Sequence, residues 1–206
     1  MIDLNKIYYE DCLKFMNKVP SDYVNLVFAD PPFLFDEDYY LEKNEKTYLD
    51  WCNQWIKEGW RILKPDGYFM VMATYNYMED INNMLESLGL KIADIWWSSN
   101  LYNMQDDYIE PILVFTKDKN GEYEGEIKWE NTDYIDYEKH LIKKGRSEDD
   151  SSCFTQIPMR LGFKIVHNYS DNGGLVYDMF SGSGVIVTVC KNTGRNYIAT
   201  EIKGGE

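Results

Sequence analysis

The stretch Tyr23–Ala29, YVNLVFA, constrains the fold more than any other part of the chain. It is apolar almost without a break and has the length of a strand. Such a run suits a strand buried on both faces, which needs a covering layer on each side. YFMVMA (68–73), GLVYDMF (174–180) and NYIATEI (196–202) read the same way, and KIYYED (6–11) reads as a strand followed by a short amphipathic helix. Helical segments alternate with them. Over 45–64, Leu49, Trp51, Cys52, Trp55, Ile56, Trp60 and Leu63 recur at helical spacing, and the tryptophans read as core-facing. Pro65-Asp66-Gly67 then stops that helix. Residues 76–89 form a helix closed by Gly89, and 157–170 form another with Pro158 in its first turn. KIADIWW (91–97) and IEPILVFTK (109–117) are strands joined without a helix, which predicts an antiparallel hairpin at one edge. The alternation predicts an α/β domain with a mostly parallel, seven-stranded sheet and helices on both faces.

Length and composition narrow the class. A chain of 206 residues suits one domain. No apolar run approaches the roughly 20 residues needed to cross a bilayer. The start, MIDLNKIYYED, carries acids and no signal-peptide pattern, so a cytoplasmic protein is expected. The four cysteines are scattered without a C-x-x-C pair, and only His140 and His167 are present. Neither a zinc site nor a disulfide framework is expected, and no metal. The formal net charge of -14 argues against tight, autonomous binding to nucleic acid, where phosphate neutralisation supplies much of the affinity.

Residues 118–152 change character. They have poor apolar periodicity, a turn signal at Asn120-Gly121 and the linker-like SEDDSS (147–152), so they read as an insertion outside the sheet. Here the basic residues cluster. Lys139, Lys143, Lys144 and Arg146 face only Glu138 within 138–146, which fits a phosphate-guiding patch or an ordinary solvated helix face. The acidic, aromatic stretch 33–46 reads as a lid carrying Tyr39 and Tyr40, or as a flexible loop.

Three features carry chemistry. In VYDMFSGSG a strand ends on Asp178, a small-residue turn follows and a helix begins. Ligands of open α/β sheets bind beyond such strand ends, and Gly182 and Gly184 allow close backbone approach. The absence of G-K-[ST] excludes the usual phosphate loop. Glu201 ends the next strand, where an acid can accept hydrogen bonds from ribose hydroxyls. Asp30-Pro31-Pro32-Phe33 ends the buried strand at 23–29. Prolines hold the residues before them extended and leave carbonyl acceptors without donors. A carboxylate, free carbonyls and an aromatic plane suit an exocyclic amino group on a flat ring. The plainer reading is a Pro-Pro strand terminator.

DPPF at 30–33 together with DMFSGSG at 178–184 resembles the β-type S-adenosylmethionine-dependent DNA amino methyltransferases, which modify adenine N6 or cytosine N4. YYEDCLKFM, ILKPDGYFMV, EPILVFTK, FTQIPMRL and VCKNTGRNYIATEI resemble further family segments, so the likeness spans nearly the whole chain except about 118–152. It implies a Rossmann-like methyltransferase fold with circularly permuted motif order. Residues 1–117 would be the catalytic part, 118–152 a short insertion serving target recognition, and 153–206 the cofactor-binding part. Asp30, Pro31, Pro32 and Phe33 would serve the target base. Asp178, Phe180, Ser181, Gly182, Ser183 and Gly184 would line the methionine part of S-adenosylmethionine. Glu201 and Ile202 would hold its ribose side, Asp11 and Cys12 its adenine, and Thr155, Gln156 and Pro158 its methionine end. DNA is the implied partner, with RNA as an alternative, and a homodimer or partner subunit could supply positive surface. The leading Asp of DPPF favours adenine N6, in a restriction-modification setting. The alternatives are cytosine N4, RNA, or a non-catalytic partner subunit that keeps the fold.

The sequence departs from the family pattern at three places. Ile157 stands where Lys precedes Pro, and Val185 replaces a hydroxyl after the glycine turn. The chain ends four residues after Ile202, where the pattern continues into a helix, which implies a truncated or minimal form.

Overall fold

The computed structural model describes residues 2–32, 45–72, 75–99, 109–117, 128–130, 157 and 159–202. Its strands are β1 (Lys6–Tyr8), β2 (Val24–Ala29), β3 (Leu63–Met72), β4 (Lys91–Ser99), β5 (Ile109–Thr116), β6 (Lys128–Glu130), β7 (Leu175–Asp178) and β8 (Asn196–Thr200). They form one sheet in the order β1-β8-β7-β2-β3-β5-β4-β6. Pairing is parallel from β1 to β3; β5 is antiparallel to both β3 and β4. The helices are α1 (Cys12–Met16), α2 (Glu45–Ile62), α3 (Met78–Ser87), α4 (Met159–Tyr169) and α5 (Val185–Thr193). Among the described residues, no helix is long and apolar enough to cross a membrane.

The apolar run of β2 does what its composition requires. Leu26 and Phe28 pack into the core beneath α4 and α5, while Val27 and Ala29 pack into the core beneath α1, α2 and α3. Period-two alternation thus feeds two layers from one strand. Asn25, the half-buried residue of the run, accepts hydrogen bonds from the Leu175 backbone N–H and the Lys64 ammonium, both at 3.0 Å. It ties β2 to its two neighbours.

Helix α2 buries Tyr48, Cys52, Trp55, Ile56, Gly59 and Ile62 along one face. Trp55 is fully enclosed as expected, whereas Trp51 and Trp60 are only half-buried. Arg61, in the last turn, donates to the carbonyls of Met16 (2.6 Å) and Val19 (2.9 Å), locking α1 against α2. Both carbonyls lie at or just beyond the end of α1, where such groups lack helical partners.

Two expectations need correction. Region 118–152 does contribute to the sheet: residues 128–130 add an eighth strand, parallel to β4. The edge of β4 presents backbone donors and acceptors that a short strand can pair, and this needs no apolar periodicity. The β4–β5 hairpin therefore lies one strand in from the edge. Pro65-Asp66-Gly67 does not separate helix from strand either; the backbone is already extended at Leu63, with a register shift opposite Val24 and Leu26. A side chain at Gly67 would stand 2.9 Å from the Asn25 carbonyl, so the strands approach closely there only without one.

Candidate active site

Strands β2 and β7 are parallel neighbours, with Phe28 opposite Asp178. From β2 the chain passes through α2 to β3 on one side; from β7 it passes through α5 to β8 on the other. The strand order therefore reverses between them, which opens a crevice beyond their carboxyl ends. A cleft lies there. Phe28 and Asp30 line it from β2, Asp178 and Phe180–Ser183 from β7 and its turn, and Val185 and Ile186 from α5; Ile157 closes it.

The turn between β7 and α5 is held rigidly. Gly182 and Gly184 have φ of 45° and 77°, where a side chain would be strained. The Ser181 N–H donates to the Thr200 carbonyl (3.0 Å) and the Gly184 N–H to that of Ser181 (2.7 Å). Beneath the turn, the buried Thr200 hydroxyl donates to the Met179 carbonyl at 2.7 Å and lies 2.8 Å from the Tyr177 hydroxyl. Glu201 reaches over from β8, and its Oε2 accepts the Gly182 N–H at 2.6 Å. Gly162 lets α4 close on α5, since a Cβ there would stand 2.8 Å from Val185.

The electrostatics are one-sided. Asp178 is 2% exposed and its Oδ1 has no hydrogen-bond partner among the described residues. Burial raises its carboxyl well above the usual range; Asp30 and Glu201 push the same way, and the Phe180 N–H opposes them. Glu201 is also raised by burial, against the opposing N–H groups of Gly182 and Ile202. The Ser181 hydroxyl is buried without a partner too. No basic side chain lines the cleft among the described residues. Three carboxyl groups, a bare acceptor and an aromatic wall suit a ligand with positive charge and hydrogen-bond donors.

Eight of the expected residues meet here. Asp30, Asp178, Phe180, Ser181, Gly182 and Ser183 line the cleft, Gly184 starts α5, and Glu201 joins through Gly182. Pro31 is buried and Pro32 half-buried just past Asp30. Asp11 and Cys12 stand off the cleft lining. Asp11 caps α1, its Oδ1 accepting the Lys14 N–H at 3.0 Å, and the thiol of buried Cys12 is pushed up to about 12 chiefly by desolvation. The Glu201 N–H donates to the Tyr8 carbonyl at 3.1 Å, which keeps this segment beside Glu201. Ile202 is 56% exposed. Phe33, Tyr39, Tyr40, Lys139, Lys143, Lys144, Arg146, Thr155, Gln156 and Pro158 lie outside the described residues. Sequence reasoning missed Phe28 and Ile186 as lining residues, whose only signal was position: one residue of an alternating strand and the first turn after the glycines. Val185 and Ile157, noted as departures from the family pattern, line the cleft as well.

Comparison with known proteins gives a consistent result. A family model described as DNA methylase matches residues 24–205. The type II methyltransferase M.BamHI of Bacillus amyloliquefaciens is 28% identical, over 97% of this chain and 55% of its own length. M.HinfI of Haemophilus influenzae is 25% identical over 96% and 65%. The chain thus spans about half to two thirds of the length of these two relatives. The DNA adenine methyltransferase YhdJ of Escherichia coli is 28% identical over 95% and 78%. Among solved structures, the cytosine-N4-specific PvuII DNA methyltransferase superposes with a TM-score of 0.68 at 19% identity, covering 96% of this chain and 82% of that one. An M1.HpyAVI complex with S-adenosylmethionine gives 0.61 at 21%, covering 96% and 93%.

Proposed function

This chain belongs to the DNA methylase family that acts on amino nitrogens of bases, and on that premise we propose that it methylates the N6 amino group of adenine in DNA with S-adenosylmethionine as donor. The observation that carries the reading is the meeting of two strand ends. Asp30 follows β2, Asp178 ends β7, and both line one cleft. The cofactor fits the residues present. The orphaned Oδ1 of Asp178 and the Ser181 hydroxyl offer acceptors to its ammonium, Glu201 offers a second carboxylate oxygen to its ribose, and Phe180 offers an apolar wall. When bound, it supplies a methyl group on a positively charged sulfur.

The chain's own residues then act on the base. The target base leaves the stack to reach the cleft. Its amino lone pair is delocalised into the ring and attacks poorly. The Asp30 carboxylate and the Pro31 carbonyl accept its two N–H bonds, which favours a pyramidal nitrogen with an available lone pair. Asp30 would take the amino proton that the nitrogen gives up once it carries the methyl group. Phe33 stacks on the flipped ring, a contact worth about 1–3 kcal/mol. No covalent enzyme intermediate is needed, in keeping with Cys12, Cys52 and Cys190, whose buried thiols are each pushed up to about 12. Alignment and fixed charge supply the rate.

Residues 1–117 and 153–206 act as the catalytic and cofactor parts, and 118–152 as the recognition insertion, with Lys139, Lys143, Lys144 and Arg146 guiding phosphates. The strongly acidic chain gains further positive surface from a second copy or a partner subunit. The experiment incubates the protein with labelled S-adenosylmethionine and DNA, or RNA, and identifies the product nucleoside by mass. N6-methyladenine in DNA is expected. N4-methylcytosine would transfer the mechanism unchanged to cytosine, and transfer to neither polymer despite cofactor binding would move the chain to the non-catalytic reading.

A further inference from the structure

Phe180 forms one wall of the cleft, and two indoles hold it from behind. Trp55 meets it edge-on at 5.8 Å and 81°, and Trp51 lies against it at 5.6 Å and 56°. Trp55 is wholly buried and also packs on Phe69, so it serves the core. Trp51 is only half-buried. Among the described residues its ring contacts are Phe180, Trp55 and Tyr48, and Tyr48 in turn meets Tyr77 at 5.1 Å. The aromatic row thus runs along the face of α2 to the turn that carries Phe180. Two turns further on, Gly59 lets α2 sit directly on that turn's root, because a Cβ there would stand 2.6 Å from the Met179 methyl. Met179 immediately precedes Phe180, so the seating of α2 and the placement of the Phe180 ring are set together.

We propose that Trp51 is a positioning residue for the cofactor: it holds the Phe180 ring in the orientation that completes the cleft wall. A half-exposed core position can be filled by any apolar side chain, but only a ring makes the tilted contact that fixes another ring. The inference rests on reading the cleft as the S-adenosylmethionine site. It assigns a role in that site to a residue that lines no part of it.

The test is calorimetric titration with S-adenosylmethionine, alongside steady-state methyl transfer. Trp51→Leu is expected to weaken cofactor binding about three- to tenfold, the worth of one aromatic pair. KM for DNA, and kcat at saturating cofactor, should stay within about twofold of wild type on the same reasoning. Trp51→Phe, which keeps a ring, should recover most of the loss. Trp60→Phe, at the far end of α2 beneath Lys117, should change nothing. In a Phe180→Leu background, Trp51→Leu should add no further weakening, because the ring through which it acts is gone. Additive losses in that cycle, or a Trp51→Leu protein with wild-type cofactor affinity, would overturn the proposal. Should Trp51→Leu not fold, Trp51→Met keeps the bulk without the ring and carries the same comparison. A wild-type protein that binds no cofactor would overturn the function proposed above together with this inference; binding with additive substitutions overturns the inference alone.

Discussion

Replacing Asp178 by Asn should make the ligand-free protein more stable while removing its affinity for S-adenosylmethionine. Asp178 is almost wholly buried, one of its oxygens has no partner among the described residues, and Asp30 and Glu201 lie close enough to oppose its ionisation. Burial is the largest cause of its raised pKa. The sign follows. Because the native carboxyl holds its proton to higher pH than the unfolded one, stability falls as pH rises from the ordinary carboxylate range through the raised native value. Below that range both states are protonated and the cost vanishes. Asn keeps an acceptor for the Phe180 N–H and cannot ionise. The gain at pH 8 is therefore the cost of keeping the native carboxyl protonated, about 1.4 kcal/mol for each unit by which its pKa stands above the unfolded value and below the pH. In a chain of this size each kcal/mol moves Tm by about 2–4 °C. Thermal melts of both proteins at pH 4.5, 6 and 8 should show a difference that widens with pH, and titration calorimetry should show no cofactor binding by the variant. A variant less stable than wild type at pH 8, or a gain equal at all three pH values, would refute the reasoning.

Asp30→Ala should lower kcat by about 10²–10⁴, the range for a positioned proton acceptor, while titration shows cofactor affinity within a few-fold of wild type. Glu201→Ala removes the charged acceptor that lies 2.6 Å from the Gly182 N–H. Such bonds are worth about 1.5–3 kcal/mol, so cofactor Kd should rise roughly ten- to a hundredfold, with Glu201→Gln intermediate. Gly59→Ala would press a methyl to 2.6 Å from Met179 and 2.7 Å from Phe69. Urea unfolding should show a loss of about 1–3 kcal/mol, the usual cost of overpacking, and an unchanged midpoint would mean that α2 shifts freely.

The sheet was legible because burial on both faces leaves a plain trace: β2, β7 and residues 68–72 of β3 are mostly apolar and buried, side by side in the middle of the sheet. The eighth strand was not legible, since Lys128–Glu130 joins by backbone pairing to β4 and edge pairing asks little of side chains. The glycine signal was read correctly at Gly89, which follows the end of α3 with φ of 83°. Turn signals misled at Pro65-Asp66-Gly67, where Gly67 marks a close approach of strands rather than a break. Within the site, the acids at strand ends stood out because a charge there breaks an apolar pattern. Phe28 and Ile186 were invisible because an apolar residue that lines a cleft looks like one that fills a core. The role argued for Trp51 was hidden for the same reason: helical spacing shows that it faces inward, not that it meets Phe180.

The order of the two halves along the chain matters little to the chemistry. β2 and β7 are far apart in sequence, yet they pair directly. Each leaves by its own helix, α2 or α5, toward opposite ends of the sheet. The cleft needs only that their carboxyl ends be adjacent and that the helices diverge, and either chain order satisfies both. What the order does decide is where a long connection can go. Here it runs from β5 through β6 to α4, leaving the sheet beyond the antiparallel hairpin and returning at Ile157 on the rim of the cleft. A segment anchored that way can vary in length and charge without straining β2, β7 or the glycine turn. Ile157 itself lines the site. The cofactor geometry set by β2, β7 and the glycine turn therefore need not change when that connection does, and under the function proposed above the two meet at Ile157.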